Sequence, residues 1–183
     1  VSRETFEKIE AYIALLKAEA QVQNLVSAAT LETVWERHVL DSAQLVRFEP
    51  RAEAFWADIG SGAGLPGIVI AILVSGPVAL IEPRRLRADF LRRVVADLGL
   101  SPRVAVIHSK VEQVEGRFDT ITARAVAPLD RLLRISQHLS TGKSRWVLPK
   151  GRTAESELAD ARRSGQGVFH VEQSVTDADS RIL

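Results

Sequence analysis

The stretch FWADIGSGAGLPGIVIAIL, Phe55 to Leu73, decides the fold. A short apolar run stops at Asp58, glycines follow at Gly60, Gly62, Gly64 and Gly67, and a second apolar run starts at Ile68. The first run reads as a buried strand and the second as a helix closed by Gly76. Glycine lets the backbone between them turn tightly and approach a ligand. A helix starting near Leu65, with Pro66 at its first position, turns its free N–H groups toward whatever is negative.

Upstream, residues 2–24 read as an amphipathic helix. Ser2 is a candidate N-cap, Glu4 lies in the first turn, and Phe6, Ile9, Ile13, Leu16 and Ala20 recur at helical spacing. A second helix is expected from an N-cap at Thr30 to Phe48, with Leu31, Trp35, Val39 and Val46 on its apolar face and Pro50 ending it. Trp35 is read as core. Downstream, PVALIEP is a strand and RRLRADFLRRVVADLG a helix with Leu86, Phe90, Val94 and Leu98 in a stripe and Gly99 at its stop. RVAVIH and FDTITARA are further strands, PLDRLLRISQHLS a helix opened by Pro128, and SRWVLPKG a fifth strand. AESELADARRSG is a polar helix, GVFHVEQSV begins a sixth strand, and SVTDADS looks like a hairpin turn before a last strand expected to pair with the sixth and to be truncated. Strands alternating with helices of about 10–15 residues predict right-handed βαβ units and a parallel sheet covered on both faces.

The 183 residues suffice for one sizeable domain, with or without a small accessory. At 46% hydrophobic and 26% charged, the composition is that of a folded domain, not a disordered segment. No apolar run reaches the ~20 residues of a membrane span. The opening VSRETFEKIE lacks a basic segment followed by an apolar one, so a cytoplasmic protein is expected. The absence of cysteine rules out disulfides, thiolate zinc sites and a cysteine nucleophile, and no metal is expected. The net charge of +1 is unevenly spread. Eight Lys or Arg lie between Arg117 and Arg152 against Asp119 and Asp130, and five arginines between Arg84 and Arg93. Such clusters suggest polyanion contact, the alternative being the solvated faces of ordinary helices.

Gly62, Gly64 and Gly67 match a dinucleotide-binding pattern, a weak signal alone. The fuller description is Asp58-x-Gly60-x-Gly62-x-Gly64, and Pro66 stands just before the glycine that a dinucleotide fold uses for close helix–strand packing. An acid followed by three alternate glycines resembles the first motif of the S-adenosylmethionine-dependent methyltransferases. Glu82 ends the second strand, where a carboxylate can accept both ribose hydroxyls in either fold.

WERHVLDS (Trp35–Ser42), DIGSGAGLPG (Asp58–Gly67), KVEQ (Lys110–Gln113), ITARA (Ile121–Ala125) and LPKG (Leu148–Gly151) occur in the order and spacing of one family. Across nearly its whole length the chain resembles the bacterial small-subunit ribosomal RNA guanine-N7 methyltransferases, also called glucose-inhibited division protein B. The resemblance implies a class I S-adenosylmethionine-dependent methyltransferase fold: a Rossmann-like, mostly parallel seven-stranded sheet, helices on both faces, and an N-terminal helical extension. The extension would be residues 1–50 and the methyltransferase domain residues 51–183. It implies S-adenosyl-L-methionine as cofactor, one guanine in the decoding-region loop of 16S ribosomal RNA as target, and the RNA or the 30S subunit as partner of a monomer. Cofactor contacts are expected at Asp58, Gly60, Gly62, Gly64, Leu65, Glu82, Val111, Glu112 and Arg124, and RNA contacts at Arg37, Lys150 and Arg152. Lys110 stands where the family usually has arginine, and Ala123 where serine is common.

Guanine N7 carries a lone pair and no proton, so its methylation needs no general base, and catalysis is mainly positioning within about 3–3.5 Å. Arg124, just beyond the fourth strand, is the expected active-site residue, holding cofactor or guanine O6 with its planar fork. His38 and Asp41, one helical turn apart, read as a buried pair locking the extension onto the core, with a place in the RNA pocket as the alternative. Three other readings stay open on the residues alone. They are a methyltransferase with a non-RNA substrate, a ribosome-assembly factor that binds RNA without turnover, and an NAD-dependent oxidoreductase, for which no hydride-transfer partner stands out.

Overall fold

The computed structural model describes residues 1–163 and 168–183. The end of the AESELADARRSG helix reading and the start of the sixth-strand reading fall outside the described residues. Five strands, β1 (Trp56–Ile59), β2 (Val78–Ile81), β3 (Val104–Ile107), β4 (Thr120–Ala123) and β5 (Arg145–Val147), form one parallel sheet in the order β3-β2-β1-β4-β5. Every residue of β1, β2 and β4 is buried, because helices cover both faces. The side-chain alternation divides the core in two. Trp56, Leu80 and Val147 face the layer containing Tyr12, Leu16, Leu45, Ile68 and Phe90, while Ala57, Ile81 and Ile121 face Leu129, Leu132 and Leu158. The winding changes sense between β1 and β4, so the crevice beyond their carboxyl ends is where this architecture binds ligands.

The first helix, α1 (Arg3–Glu19), is capped as expected, Ser2 Oγ accepting from Thr5 N at 3.1 Å. Its Ile9, Tyr12, Ile13 and Leu16 are buried, whereas Phe6 is exposed and stacks on Trp35 with ring centroids 5.1 Å apart. The single helix expected from Thr30 is broken. A short α2 (Ala28–Glu32) starts earlier, with Ser27 Oγ accepting from Thr30 N, and ends at Thr33. A wide π-type turn (Trp35–Leu40), α3 (Asp41–Ala43) and a 3-10 turn (Gln44–Phe48) follow. The extra residue of the π turn shifts the helical phase, which brings Val34, His38, Val39 and Leu45 all inward.

Helices α4 (Gly67–Leu73), α5 (Arg85–Asp97), α6 (Leu129–Ser136) and α7 (Ala154–Arg163) form where the sequence placed helices, although α4 ends at Leu73, before the Gly76 expected to close it. Leu86 is a correction: it is 64% exposed, and Leu91 and Val95 join Phe90 and Val94 on the buried face. The strand count also divides differently from expectation. SRWVLPKG splits at Leu148, and β6 (Pro149–Lys150), β7 (Glu172–Gln173) and β8 (Arg181–Ile182) form a small antiparallel sheet of order β6-β8-β7. Leu148 exchanges backbone hydrogen bonds with Leu183 at 2.9 and 3.0 Å. β7 and β8 pair across the SVTDADS turn, as the hairpin reading expected. No helix among the described residues is long and apolar enough to cross a membrane.

Candidate functional site at the carboxyl ends of the strands

The glycine loop leaves β1 and doubles back into α4. Gly60, Gly62 and Gly64 have φ of 68°, 54° and 94°, a region that side chains with a Cβ rarely enter. Two carboxylates fix the loop from below. Glu82 Oε2 accepts from Gly62 N at 2.8 Å while its Oε1 accepts from Arg84 N at 2.8 Å. Asp58 Oδ2 accepts from Gly67 N at 3.0 Å. Pro66 occupies the cap position and α4 starts at Gly67. Gly67 packs α4 closely on the strands even with Pro66 before it. A Cβ there would lie 2.4 Å from both Asp58 Oδ2 and Leu80 Cδ2.

The N–H groups of Gly60 and Ser61 donate to Ile81 O, and that of Gly64 donates to Ser61 O. Among the described residues those of Ala63 and Leu65 have no protein acceptor. A Cβ at Gly62 would meet nothing closer than 3.6 Å, so one side of the loop is open. Bare backbone, two free N–H groups and a strand-end carboxylate suit a nucleoside cofactor carrying a polar tail. The residues present therefore fit S-adenosylmethionine.

Arg124 leaves β4 half-buried, its Nη1 3.5 Å from Asp41 Oδ2. The next residue, Ala125, adopts φ 57° and swings Val126 over Gly60, where a Cβ would come within 2.6 Å of Val126 Cγ2. The loop after β4 is thus seated on the glycine loop. Burial pushes the Asp58 carboxyl up to about 7, against the pull of the Gly67 N–H and the Arg124 charge. Among the described residues Asp58 Oδ1 has no hydrogen-bond partner, nor does Oγ1 of Thr122, its register neighbour on β4.

The expected His38–Asp41 pair does not form. Both ring nitrogens of His38 are buried and have no hydrogen bond among the described residues, and burial followed by the Arg124 charge lowers its pKa. Asp41 turns elsewhere. Its Oδ1 accepts from Gln44 Nε2 at 3.0 Å and Thr176 Oγ1 at 2.9 Å, and its Oδ2 faces Arg124. The π turn accounts for this, since the spacing that stacks the two residues in an α-helix no longer applies. Gln44 also accepts from Val175 N and donates to Ser174 Oγ, so the residues before β1 hold the C-terminal hairpin beside Arg124. This link spans more than a hundred residues of sequence and left no local signal.

Val111 is buried and Glu112 exposed on a 3-10 turn beyond β3, at the same end of the sheet as the glycine loop. Arg37 is exposed, and so is Arg152, which pairs with Asp179 at 3.1 Å. Lys150 corrects its expected RNA contact. Its side chain is 10% exposed, and its Nζ donates to Glu157 Oε2 at 2.8 Å and Ala127 O at 3.2 Å. Glu157 also accepts from Leu129 N, so this pair fixes the start of α6. The Arg117–Arg152 run does not form one patch either. Arg117, Lys143 and Arg145 precede or open β4 and β5, at the end of the sheet opposite the glycine loop. Arg84, Arg85, Lys110, Arg124 and Arg152 follow strand carboxyl ends, on the loop's side.

Comparison with known proteins adds the family. Residues 5–181 match the family described as rRNA small subunit methyltransferase G. The chain is 50% identical over 184 residues to the Ribosomal RNA small subunit methyltransferase G of Sphingopyxis alaskensis, covering 100% of this chain and 78% of that one. It is 44% identical over 192 residues to the protein of that name from Zymomonas mobilis, covering 100% and 86%. Among solved structures, a SAM-dependent methyltransferase from Aquifex aeolicus superposes with a TM-score of 0.64 at 16% identity, over 82% of this chain and 89% of that one. The ribosomal protein L11 methylase of Lactobacillus delbrueckii gives 0.63 at 16% identity, over 79% and 74%. These likenesses show the fold, a class I methyltransferase.

Proposed function

The chain belongs to the rRNA small subunit methyltransferase G family, and from that premise we propose that it methylates N7 of one guanine in the decoding-region loop of 16S ribosomal RNA. Bound S-adenosylmethionine supplies the reaction with a methyl group on a sulfonium. The gathering of the glycine loop, Glu82 and Arg124 at one end of the sheet carries this reading. Asp58, Gly60, Gly62, Gly64, Leu65, Glu82, Val111 and Glu112 form the cofactor side. Glu82, buried at the end of β2, retains a lone pair on each oxygen for ribose hydroxyls. Gly62 keeps the floor open, and the free Ala63 and Leu65 N–H groups can take the carboxylate of the methionine part.

Arg124 holds the acceptor edge of the guanine. Guanine N7 is already a nucleophile, so the site needs alignment and no proton acceptor. His38, neutral in its buried position, adds no cation where positive charge develops on the purine. Arg37, Arg84, Arg85, Lys110 and Arg152 supply phosphate contacts around a guanine splayed from its loop. Residues 1–50 act as a helical extension braced on a methyltransferase domain of residues 51–183. The enzyme works as a monomer in the cytoplasm, on the 16S RNA of the 30S subunit.

Replacing Arg124 tests the site. Arg124→Lys keeps the charge and loses the planar fork. Methyl transfer to 30S subunits lacking the modification should fall about ten-fold or more, with S-adenosylhomocysteine binding nearly unchanged. Full transfer by the Lys variant would remove Arg124 from the site.

A further inference from the structure

We propose that Tyr12, on the first helix, is a positioning residue of the cofactor loop, a role that rests on reading the glycine loop as the cofactor site. Its ring is fully buried among Ile9, Ile13 and Leu16, and its hydroxyl donates to Ala63 O at 2.9 Å, 51 residues along the chain. The acceptor is the point of interest. The Ala63 carbonyl and the Gly64 N–H belong to one peptide plane, and that N–H donates to Ser61 O at 2.7 Å. The plane is therefore held at both ends. It lies between the α-carbons of Ala63 and Gly64, and the glycines on either side of Ala63, Gly62 and Gly64, are each at positive φ and without a side chain to resist rotation. On either side lie the two N–H groups that have no protein acceptor, those of Ala63 and Leu65.

Glu82 anchors the loop before this plane and Asp58 after it. Tyr12 anchors the plane itself, and thereby sets the direction of both free N–H groups. Burial raises the pKa of the hydroxyl, so it remains a donor throughout the working pH range. Without it the carbonyl loses its buried partner and the plane is held at its N–H end alone.

Calorimetric titration of the full chain with S-adenosylhomocysteine tests the role, using Tyr12→Phe, which removes one oxygen and keeps the ring. The Phe variant should bind about five- to ten-fold more weakly than wild type. In turnover, KM for S-adenosylmethionine should rise while kcat at saturating cofactor and KM for RNA hold. Amide exchange over residues 60–67 should quicken, with that of β2 unchanged. A para-aminophenylalanine at position 12, whose amine can still donate, should restore affinity. Wild-type affinity in the Phe variant, or a lowered melting temperature with unchanged affinity, would reduce Tyr12 to a packing residue. Gly62→Val tests the premise separately. If it binds cofactor as well as wild type, the loop is not the cofactor site and the inference falls with it.

Discussion

Lys150 and Arg152 stand two residues apart, and their surroundings give them opposite roles. Lys150→Ala would strand Glu157 beneath α6, and breaking such a mostly buried pair costs about 3 kcal/mol. Arg152→Ala removes an exposed pair and should cost under about 0.5 kcal/mol while weakening RNA binding. Denaturant melts and RNA titrations of both variants check the contrast; a stable Lys150→Ala protein with weakened RNA binding would reverse it. Asp58 gives a second prediction at this scale. Its folded carboxyl holds a proton between 3.8, where the unfolded one titrates, and about 7. The folded state therefore binds more protons than the unfolded state in that window, and stability falls as pH rises through it. Asp58→Asn should lack that fall, measured as denaturation midpoints across the window, and an unchanged slope would place the titration on another group. A sequence registers charge and spacing but not burial. Lys150 and Arg152 therefore looked alike, whereas the glycine turn was legible because its demands on the backbone are local.

The elements nearest the site meet at Asp41, where the turn before β1, the loop after β4 and the C-terminal hairpin converge. Asp41→Asn places an amide against the Arg124 guanidinium and removes the charge that draws it in. Single-turnover methyl transfer should fall about ten-fold, and adding Arg124→Lys should cost little more, because both changes disable one arrangement. Additive losses in the double variant would show that the two residues act independently. The regular elements of the sheet were legible because strands and helices alternate with clear periods. The broken second helix was not, since a one-residue π insertion leaves the apolar composition intact and alters only its phase. The β7–β8 hairpin was legible through its turn residues, whereas the two-residue β6 was merged with β5 because so short a strand carries no period to read.

Across the whole molecule, the parallel sheet sorts the cations into two populations. Arg84, Arg85, Lys110 and Arg152 surround the end that bears the glycine loop, while Arg117, Lys143 and Arg145 lie at the other. This division follows from strand direction and could not be read from a linear count of charge. Charge reversal on the first group should weaken RNA binding and flatten its salt dependence, whereas reversal on the second should leave both unchanged. Equal effects from the two groups would mean that RNA covers both ends. The most direct measurement of the central claim is methyl transfer from labelled S-adenosylmethionine to 30S subunits lacking the modification, with the product mapped by mass spectrometry. The account predicts one N7-methylguanine in the decoding-region loop of 16S RNA. A label at any other atom or nucleotide, or no transfer by a protein that binds the cofactor, would contradict it.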